Sequence, residues 1–204
     1  MTAKTAIAAH RGGAELWPEN SFTAFREAAR LPVEFVEFDV HVSADGRLVV
    51  HHDPTLDRMT DRSGAIMDLA WADIAAAAIK GTAGDRPPLL DEVIDIFKPT
   101  GVDLRLEIKL NAAAAPYPEI EARVAAELEA ASMLARTVVS AFSLDTLARF
   151  RDIAKPGHGC IWLIAPPTLR HIGGIASALK LAQDFDIGEI APRAPDVDAA
   201  VAMA

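Results

Sequence analysis

The sequence has few of the residues that build disulfides or membrane spans. Cys160 is the one cysteine in 204 residues, which excludes an internal disulfide and a cysteine-based zinc site. We expect its thiol to be buried as a small hydrophobic group. No stretch approaches the roughly 20 apolar residues that a membrane-spanning helix needs, and Met1 to Ala9 holds no apolar run of signal-peptide length. These absences predict a soluble, cytoplasmic protein without a membrane span.

Positive charge is also scarce. Lys and Arg number 20 against 29 Asp and Glu, which gives a net charge of −9 at pH 7. Nonspecific nucleic-acid binding depends on a basic surface, so we expect no nucleic-acid partner. The hydrophobic fraction of 51% and the charged fraction of 24% are ordinary for globular proteins and exclude a disordered chain. At about 150 residues per domain, the length favours one domain over residues 1–204.

Short apolar runs alternate with helical patterns along most of the chain, which predicts an α/β fold with a parallel sheet. Between these runs, residues such as Ile120, Val124 and Leu128 repeat at helical spacing and predict helices that cover the sheet. Asn20 or Ser21 is expected to cap the first helix. The expected strands are Thr5 to Ala9, Phe35 to Val42, Leu104 to Ile108, Val138 to Ala141, Gly159 to Ile164 and Glu189 to Ala191.

One segment breaks this alternation. Ala44-Asp45-Gly46 lies between two apolar runs, which predicts a hairpin and antiparallel pairing. The hairpin would return residue 52 to the side of residues 37–39. The stretch after it is irregular, so we expect an insertion over approximately residues 43–88, with one short helix near Trp71 to Ile79. Within the insertion, neighbouring Asp57 and Arg58 could form a solvated salt bridge.

Acidic residues mark the expected strand ends, where parallel α/β folds place their sites. Glu37 and Asp39 are two apart on a strand and therefore share a face, and Glu107 with Lys109 repeats this spacing. Carboxylates pressed together in a low dielectric repel each other, and a hard cation such as Mg²⁺ or Ca²⁺ relieves the conflict. The alternative is a set of buried ion pairs with Arg11 and Lys109 that needs no metal.

Histidines follow two of these strands. His10 ends the first strand and His52 ends the hairpin, and imidazole groups titrate near neutral pH, which suits a general acid and a general base. Either histidine alone could equally be structural. His51 would point the opposite way from His52, as a structural or solvent-facing residue. Arg11 offers a planar set of donors that suits a phosphate or a carboxylate.

Seven short motifs occur in a consistent order and spacing from about Ile7 to Phe142. They are His10-Arg11-Gly12, Pro18-Glu19-Asn20-Ser21, Glu37-Phe38-Asp39-Val40, Ser43-Ala44-Asp45-Gly46, Val49-Val50-His51-His52-Asp53, Leu56-Asp57-Arg58 and Leu106-Glu107-Ile108-Lys109. With these motifs the sequence resembles the glycerophosphodiester phosphodiesterases, and the resemblance continues more weakly to the end of the chain.

The resemblance implies a TIM-type (β/α) barrel with a small insertion after the second strand. It implies hydrolysis of a small-molecule glycerophosphodiester to sn-glycerol 3-phosphate and an alcohol, in which the glycerol hydroxyl next to the phosphate attacks first. It also implies a set of site residues: Glu37, Asp39 and Glu107 for a divalent metal, Mg²⁺ or Ca²⁺; His10 and His52 as the acid–base pair; Arg11 and Lys109 on the phosphate; and Phe142 lining the substrate.

The chain also departs from the family pattern. A TIM barrel takes about 250 residues and eight strands, whereas six strands are expected here before an expected helix from Val197 to Met203. The last two strands of the family therefore look absent, and unpaired strand edges would favour a homo-oligomer. At Ser140-Ala141-Phe142, alanine stands where the family often has serine. Two alternatives stay open: a phospholipase-D-like enzyme acting on lipid head groups, and a non-catalytic phosphodiester-binding protein.

Overall fold

The structure is a computed structural model that describes residues 5–154, 158–193 and 196. The expected helix from Val197 to Met203 lies outside the described residues. The chain divides into two units, Met1–Thr137 and Val138–Ala204. All the site residues predicted above except Phe142 belong to the first unit.

The sheet of the first unit is organised around one long central strand. The strands are β1 (Ala8–Ala9), β2 (Phe35–Val42), β3 (Leu48–Val50) and β4 (Asp103–Ile108). Strand β2 pairs in parallel with β1 and with β4, and antiparallel with β3. Phe35 and Val36 pair with both β1 and β4, and Val40 pairs with both β3 and β4, so β1 and β3 share the edge of β2 that β4 leaves open. The predicted hairpin and the bounds of the second strand are confirmed, while β1 is shorter than expected.

The first unit has four α-helices among its described residues, of which α2 belongs to the insertion. They are α1 (Phe22–Ala28), α2 (Trp71–Ala75), α3 (Leu90–Phe97) and α4 (Ile120–Ala130). The hydroxyl of Ser21 caps α1 by accepting a hydrogen bond from the Ala24 N–H at 3.0 Å. Phe25 contacts Phe38 and Phe97 edge to face, with ring centroids 5.9 and 6.1 Å apart. This aromatic group forms the core between α1, α3 and the sheet.

The insertion after β2 has a small apolar core of its own. Its members are buried and come from the hairpin, from the irregular stretch and from α2: Val49, Leu56, Ile66, Ile74, Ala77 and Leu89. Trp71 packs against them. The predicted short helix is present as α2 but ends at Ala75, earlier than the sequence pattern indicated.

The second unit repeats the strand-and-helix pattern. Its parallel strands are β5 (Thr137–Ala141), β6 (Cys160–Ile164) and β7 (Glu189–Pro192), and its helices are α5 (Leu144–Ala154), α6 (Pro166–His171) and α7 (Ile175–Asp184). Cys160 is buried, as predicted. The sequence pattern did not reveal α6, whose two prolines stand in its first turn, where proline is tolerated. Among the described residues, no helix has the length and apolar character to cross a membrane.

Candidate active site

The candidate site lies on the edge of β2 that β1 and β3 share. Strand β1 pairs with β2 as far as Val36, and β3 pairs with it from Val40 onward. The residues between these pairings are therefore free to meet the segments that follow β1 and β3. The backbone N–H of Arg11, after β1, donates to Glu37 Oε2 at 2.9 Å. The N–H of His51, after β3, donates to the Asp39 carbonyl at 3.0 Å.

Three carboxylates meet on one face of β2 and β4, beside this edge, as their spacing predicted. Asp39 pairs in register with Glu107 on β4, and Glu37 shares the face of Asp39. One oxygen from each of Glu37, Asp39 and Glu107 lies within 4.8 Å of the others. A set of oxygen atoms at such spacing has the chemistry that Mg²⁺ and Ca²⁺ require.

Cationic and amide groups surround Asp39, the most buried of the three carboxylates. Lys109 Nζ lies 2.8 Å from Glu107 Oε1 and 3.4 Å from Asp39 Oδ1. Arg11 Nε lies 3.8 Å from Asp39 Oδ2, and the Asn20 amide donates to the same oxygen at 2.9 Å. The ion pairs with Arg11 and Lys109 are therefore present, and so is the cluster of oxygen atoms that could bind a metal. The two cationic side chains balance only two of the three carboxylates.

The electrostatics of this cluster favour an additional positive charge. Burial, together with the charge of Asp39, raises the pKa of Glu37 to about 8. Burial also raises the pKa of Glu107 to about 7, against the opposing effect of Lys109. Burial disfavours the Lys109 ammonium, yet Glu107 and Asp39 raise its pKa. The carboxylates therefore ionise reluctantly without a further cation, and a bound divalent ion would supply one.

The loop after β1 reaches the cluster in an unusual backbone conformation. Arg11 and Asn20 both have φ of 50°, in the left-handed region that non-glycine residues rarely adopt. The Asn20 N–H donates to the Arg11 carbonyl at 3.0 Å, which joins the two residues, and both side chains then meet Asp39. Backbone strain of this kind concentrates at functional sites.

The structure brings both predicted histidines to the cluster. His10 is exposed, and its Nε2 lies 3.9 Å from Glu37 Oε2. Desolvation and the charge of Arg11 lower the pKa of His10, and His52 is near enough to lower it further. His52 Nδ1 lies 2.7 Å from Asp53 Oδ1. Whether the two imidazoles act as acid and base stays a prediction at this point.

Two other histidines are structural. His51 is buried, so the solvent-facing alternative was wrong. His41 follows Glu37 and Asp39 on the same face of β2 and was missed, although the two-residue spacing could have revealed it. Its Nδ1 lies 2.9 Å from the Tyr117 hydroxyl and its Nε2 lies 3.1 Å from the His52 carbonyl. Burial lowers the pKa of His41 to about 4, so this link is neutral.

Arg58 does not pair with Asp57 as expected. Its guanidinium instead reaches Asp53, with Nε 2.6 Å from Oδ2, and Glu19, with an Nη 2.6 Å from Oε1. Asp57 accepts a hydrogen bond from the Gly64 N–H. The prediction of an Asp57–Arg58 pair was wrong because it relied on residues adjacent in sequence. The partner Glu19 lies 39 residues from Arg58. Both residues belong to the seven motifs of the sequence analysis, which could have indicated that they are important.

Phe142 belongs to the second unit, where it follows β5. Its side chain is exposed, at 51%, and its carbonyl accepts a hydrogen bond from the Trp162 indole N–H at 3.2 Å. Trp162 itself is buried. A substrate contact by Phe142 stays a prediction.

The chain is similar to known proteins in sequence. The model of the glycerophosphoryl diester phosphodiesterase family matches residues 10–178. A glycerophosphodiester phosphodiesterase from Caldanaerobacter subterraneus is 34% identical over 157 residues, which are 74% of this chain and 63% of that protein. One from Bacillus altitudinis is 32% identical over 154 residues, which are 73% of this chain and 62% of that protein. The chain thus spans less than two thirds of the length of either relative.

The chain is also similar to solved structures. A protein from Agrobacterium tumefaciens assigned as a glycerophosphoryl diester phosphodiesterase matches with a TM-score of 0.94 at 36% identity, over 98% of this chain and 80% of that chain. An Oleispira antarctica phosphodiesterase, solved with the product sn-glycerol-3-phosphate, matches with a TM-score of 0.77 at 21% identity, over 98% of this chain and 79% of that chain. The fold class is accordingly that of the TIM-type barrel, as predicted. By the family match and by the identity to its relatives, the chain belongs to the glycerophosphoryl diester phosphodiesterase family.

Proposed function

We propose that this chain hydrolyses glycerophosphodiesters to sn-glycerol 3-phosphate and an alcohol. The observation that carries the proposal is the meeting of three carboxylates and two cations on one face of β2 and β4, with two histidines close by, in a chain of this family. The product held by the Oleispira antarctica phosphodiesterase supports a glycerol phosphate as the ligand class.

Glu37, Asp39 and Glu107 would hold the divalent cation, Mg²⁺ or Ca²⁺. Within the part of the chain that the structure describes, Asn20 Oδ1 is a buried oxygen without a hydrogen-bond partner, and it belongs to the amide that donates to Asp39. When bound, such a cation neutralises phosphoryl oxygens and makes the phosphorus more electrophilic. The donor set fits a hard cation, since it holds oxygen and no sulfur.

Arg11 and Lys109 would bind the phosphate. Both side chains are largely buried and already lie within 4 Å of Asp39, which holds their positive charges at the carboxylate cluster. A guanidinium offers paired donors to two phosphate oxygens, and an ammonium acts as a point charge. Together they would stabilise the charge that builds on the phosphoryl group during attack. Phe142 would line the substrate.

His10 and His52 would move the protons. One imidazole would accept the proton of the glycerol hydroxyl next to the phosphate as its oxygen bonds to phosphorus. The other would donate a proton to the alcohol oxygen as its bond to phosphorus breaks. Water would then bond to the phosphorus of the cyclic phosphate while the ring bond to the attacking glycerol oxygen breaks. The two imidazoles exchange roles, so one accepts a proton from water and the other returns a proton to that glycerol oxygen, which yields sn-glycerol 3-phosphate.

Exposed leucines favour a second candidate substrate. Leu16 is 68% exposed in the loop after His10, and Leu110 is 37% exposed directly after Lys109. Exposed apolar side chains that are close in sequence to His10 and Lys109 would suit the acyl chain of a lysophospholipid, which carries the same glycerophosphodiester group. Hydrolysis of a lipid head group, the phospholipase-D-like reaction, is therefore the second candidate.

The test is the release of glycerol 3-phosphate from glycerophosphocholine and glycerophosphoethanolamine, and of choline from lysophosphatidylcholine. Each substrate is assayed with Mg²⁺, with Ca²⁺ and with EDTA. We expect release that depends on a divalent cation and falls at least about a hundredfold in His10→Ala and in His52→Ala. His171→Ala, which alters an exposed histidine on α6, is the matched control and should retain full activity.

Other results would change the proposal. Binding of glycerophosphocholine without turnover, by a folded protein that also binds the cation, would replace hydrolysis with the non-catalytic binding role. Faster turnover of the lysophospholipid would favour the second candidate. Undiminished release in both histidine variants would reject the acid–base pair.

A further inference from the structure

A continuous series of alternating charges connects His52 to Arg11. His52 Nδ1 lies 2.7 Å from Asp53, and the Arg58 guanidinium lies 2.6 Å from Asp53 and 2.6 Å from Glu19. The carboxylate of Glu19 also accepts from Arg11, with Nη1 3.2 Å from each oxygen. The three residues between them, Asp53, Arg58 and Glu19, are neither proposed metal ligands nor proposed proton carriers.

We propose that Asp53, Arg58 and Glu19 form a positioning relay that sets the tautomer of His52 and, through Glu19, the placement of Arg11. The catalytic consequence of the relay rests on the proposed function. The relay itself does not, because the tautomer of an imidazole can be observed without any substrate.

The chemistry of the Asp53 contact determines the tautomer. An ionised carboxylate has no proton to donate, so His52 Nδ1 must carry the hydrogen of the 2.7 Å contact. The two Arg58 hydrogen bonds to Asp53 hold the pKa of this carboxyl well below its usual value, which keeps it an acceptor. Nε2 of His52 is then left to exchange a proton with a bound substrate.

The shape of arginine explains why the relay can serve two side chains at once. Arg58 contacts both oxygens of Asp53 and both oxygens of Glu19, which only a planar guanidinium with five donors can do. The Glu19–Arg11 pair is largely shielded from water, at 13% and 20% exposure, whereas Arg58 is 46% exposed. A lysine at position 58 would supply the charge but could not bridge the two carboxylates in this way.

The backbone of His52 is held separately. His41, paired with Tyr117, contacts the His52 carbonyl at 3.1 Å through Nε2. The backbone of His52 is therefore held by His41, whereas the orientation of the His52 ring depends on Asp53. Asp53→Asn should consequently change the ring while it leaves the fold in place.

The experiment records ¹⁵N chemical shifts of the imidazoles in the full, labelled chain at a pH where they are neutral, with His52 assigned from His52→Ala. We expect the Nδ1–H tautomer of His52 in the parent protein. In Asp53→Asn the side-chain amide can donate to Nδ1, so the Nε2–H tautomer should replace it. In the active enzyme, kcat should fall at least about a hundredfold with little change in KM.

Arg58→Lys provides a second variant that does not alter the residue beside His52. We expect both tautomers of His52 to be populated, since Asp53 is no longer held in place. Arg86→Lys is the matched control, because Arg86 also forms a bidentate pair, with Glu92 at 2.6 Å, and lies outside the relay. It should leave the His52 signals unchanged even where it lowers stability.

The Nε2–H tautomer in the parent protein would overturn the relay, and so would an unchanged tautomer in a folded Asp53→Asn protein together with unchanged signals in Arg58→Lys. An expected tautomer pattern in a protein that turns over no phosphodiester would leave the relay standing and overturn the proposed function instead.

Discussion

At the scale of single residues, the site depends on how three carboxylates share two cations. Lys109 lies between Asp39 and Glu107, whereas Glu37 meets the backbone N–H of Arg11 and the exposed ring of His10. Burial, together with the charge of Asp39, raises the pKa values of Glu37 and Glu107, so an added positive charge would favour their ionised forms. A divalent cation is the natural complement.

Replacing one of the proposed carboxylate ligands should weaken the binding of a divalent cation. In Glu107→Gln the carboxylate is replaced by a neutral amide of nearly equal size, so one charged ligand is lost while packing is kept. We expect the affinity for Mg²⁺ or Ca²⁺ to fall at least about tenfold, as measured by calorimetric titration of the metal-free protein. Asp95→Asn removes a charge from the exposed face of α3 and controls for net charge. Equal affinities in the parent and Glu107→Gln would contradict the assignment of Glu107 as a ligand.

At the scale of elements, the turn after β1 depends on Gly12. Its φ is +77°, and a Cβ there would lie 3.0 Å from the Phe25 ring and 3.1 Å from Ala24. Gly12→Ala therefore combines left-handed strain with overpacking against α1, and should lower the free energy of unfolding by about 2–4 kcal/mol. Gly84→Ala is the control, because φ is +101° there but nothing lies within 4 Å of the added carbon.

Urea denaturation of both variants tests this comparison. Gly84→Ala should cost only the backbone strain, about 1–2 kcal/mol. A loss in Gly12→Ala no larger than that in Gly84→Ala would show that α1 tolerates the extra carbon and that the turn is not restricted by packing.

Helix α4 carries Glu127, and the titration of its carboxyl should make the free energy of unfolding depend on pH. Burial and the nearby Asp91 raise the pKa of Glu127 to about 7, against the opposing charge of Arg47. Between its ordinary pKa of 4.5 and that value, the folded state keeps a proton that the unfolded chain releases. The free energy of unfolding must therefore fall as pH rises through this window.

Glu127→Gln should remove that contribution. Because the side chain is only partly buried, we expect the variant to be more stable than the parent by about 1–2 kcal/mol at pH 8, with little difference at pH 5. Glu129→Gln, on the exposed side of α4, serves as the control. A pH-independent difference between parent and Glu127→Gln would show that Glu127 does not titrate in this range.

At the scale of the whole molecule, the sequence predicts most of the elements and the carboxylate cluster. Alternation along Phe35–Val42 places Glu37 and Asp39 on one face, and the turn at Asp45-Gly46 returns His52 toward them. These signals are local and periodic, so they can be seen without a structure. The helix α3 was equally visible, since its apolar residues recur at helical spacing and are buried.

The relay could not be predicted in the same way. Glu19, Asp53 and Arg58 are charged residues in irregular segments, where no periodicity indicates direction, and Asp57 was an equally good partner for Arg58. Their pairing depends on how the insertion folds over its own small core and returns toward the loop after β1. Such contacts between distant segments arise from tertiary packing, which the spacing of residues does not encode.

In the proposed reaction, this chain converts a glycerophosphodiester to sn-glycerol 3-phosphate. The most direct measurement is a ³¹P NMR time course of glycerophosphocholine with the metal-free protein, followed by addition of Mg²⁺ and, separately, of Ca²⁺. We expect the diester signal to persist until the cation is added and then to give way to the glycerol 3-phosphate signal. A diester signal that stays constant with either cation, in protein shown to be folded and to bind that cation, would contradict the account.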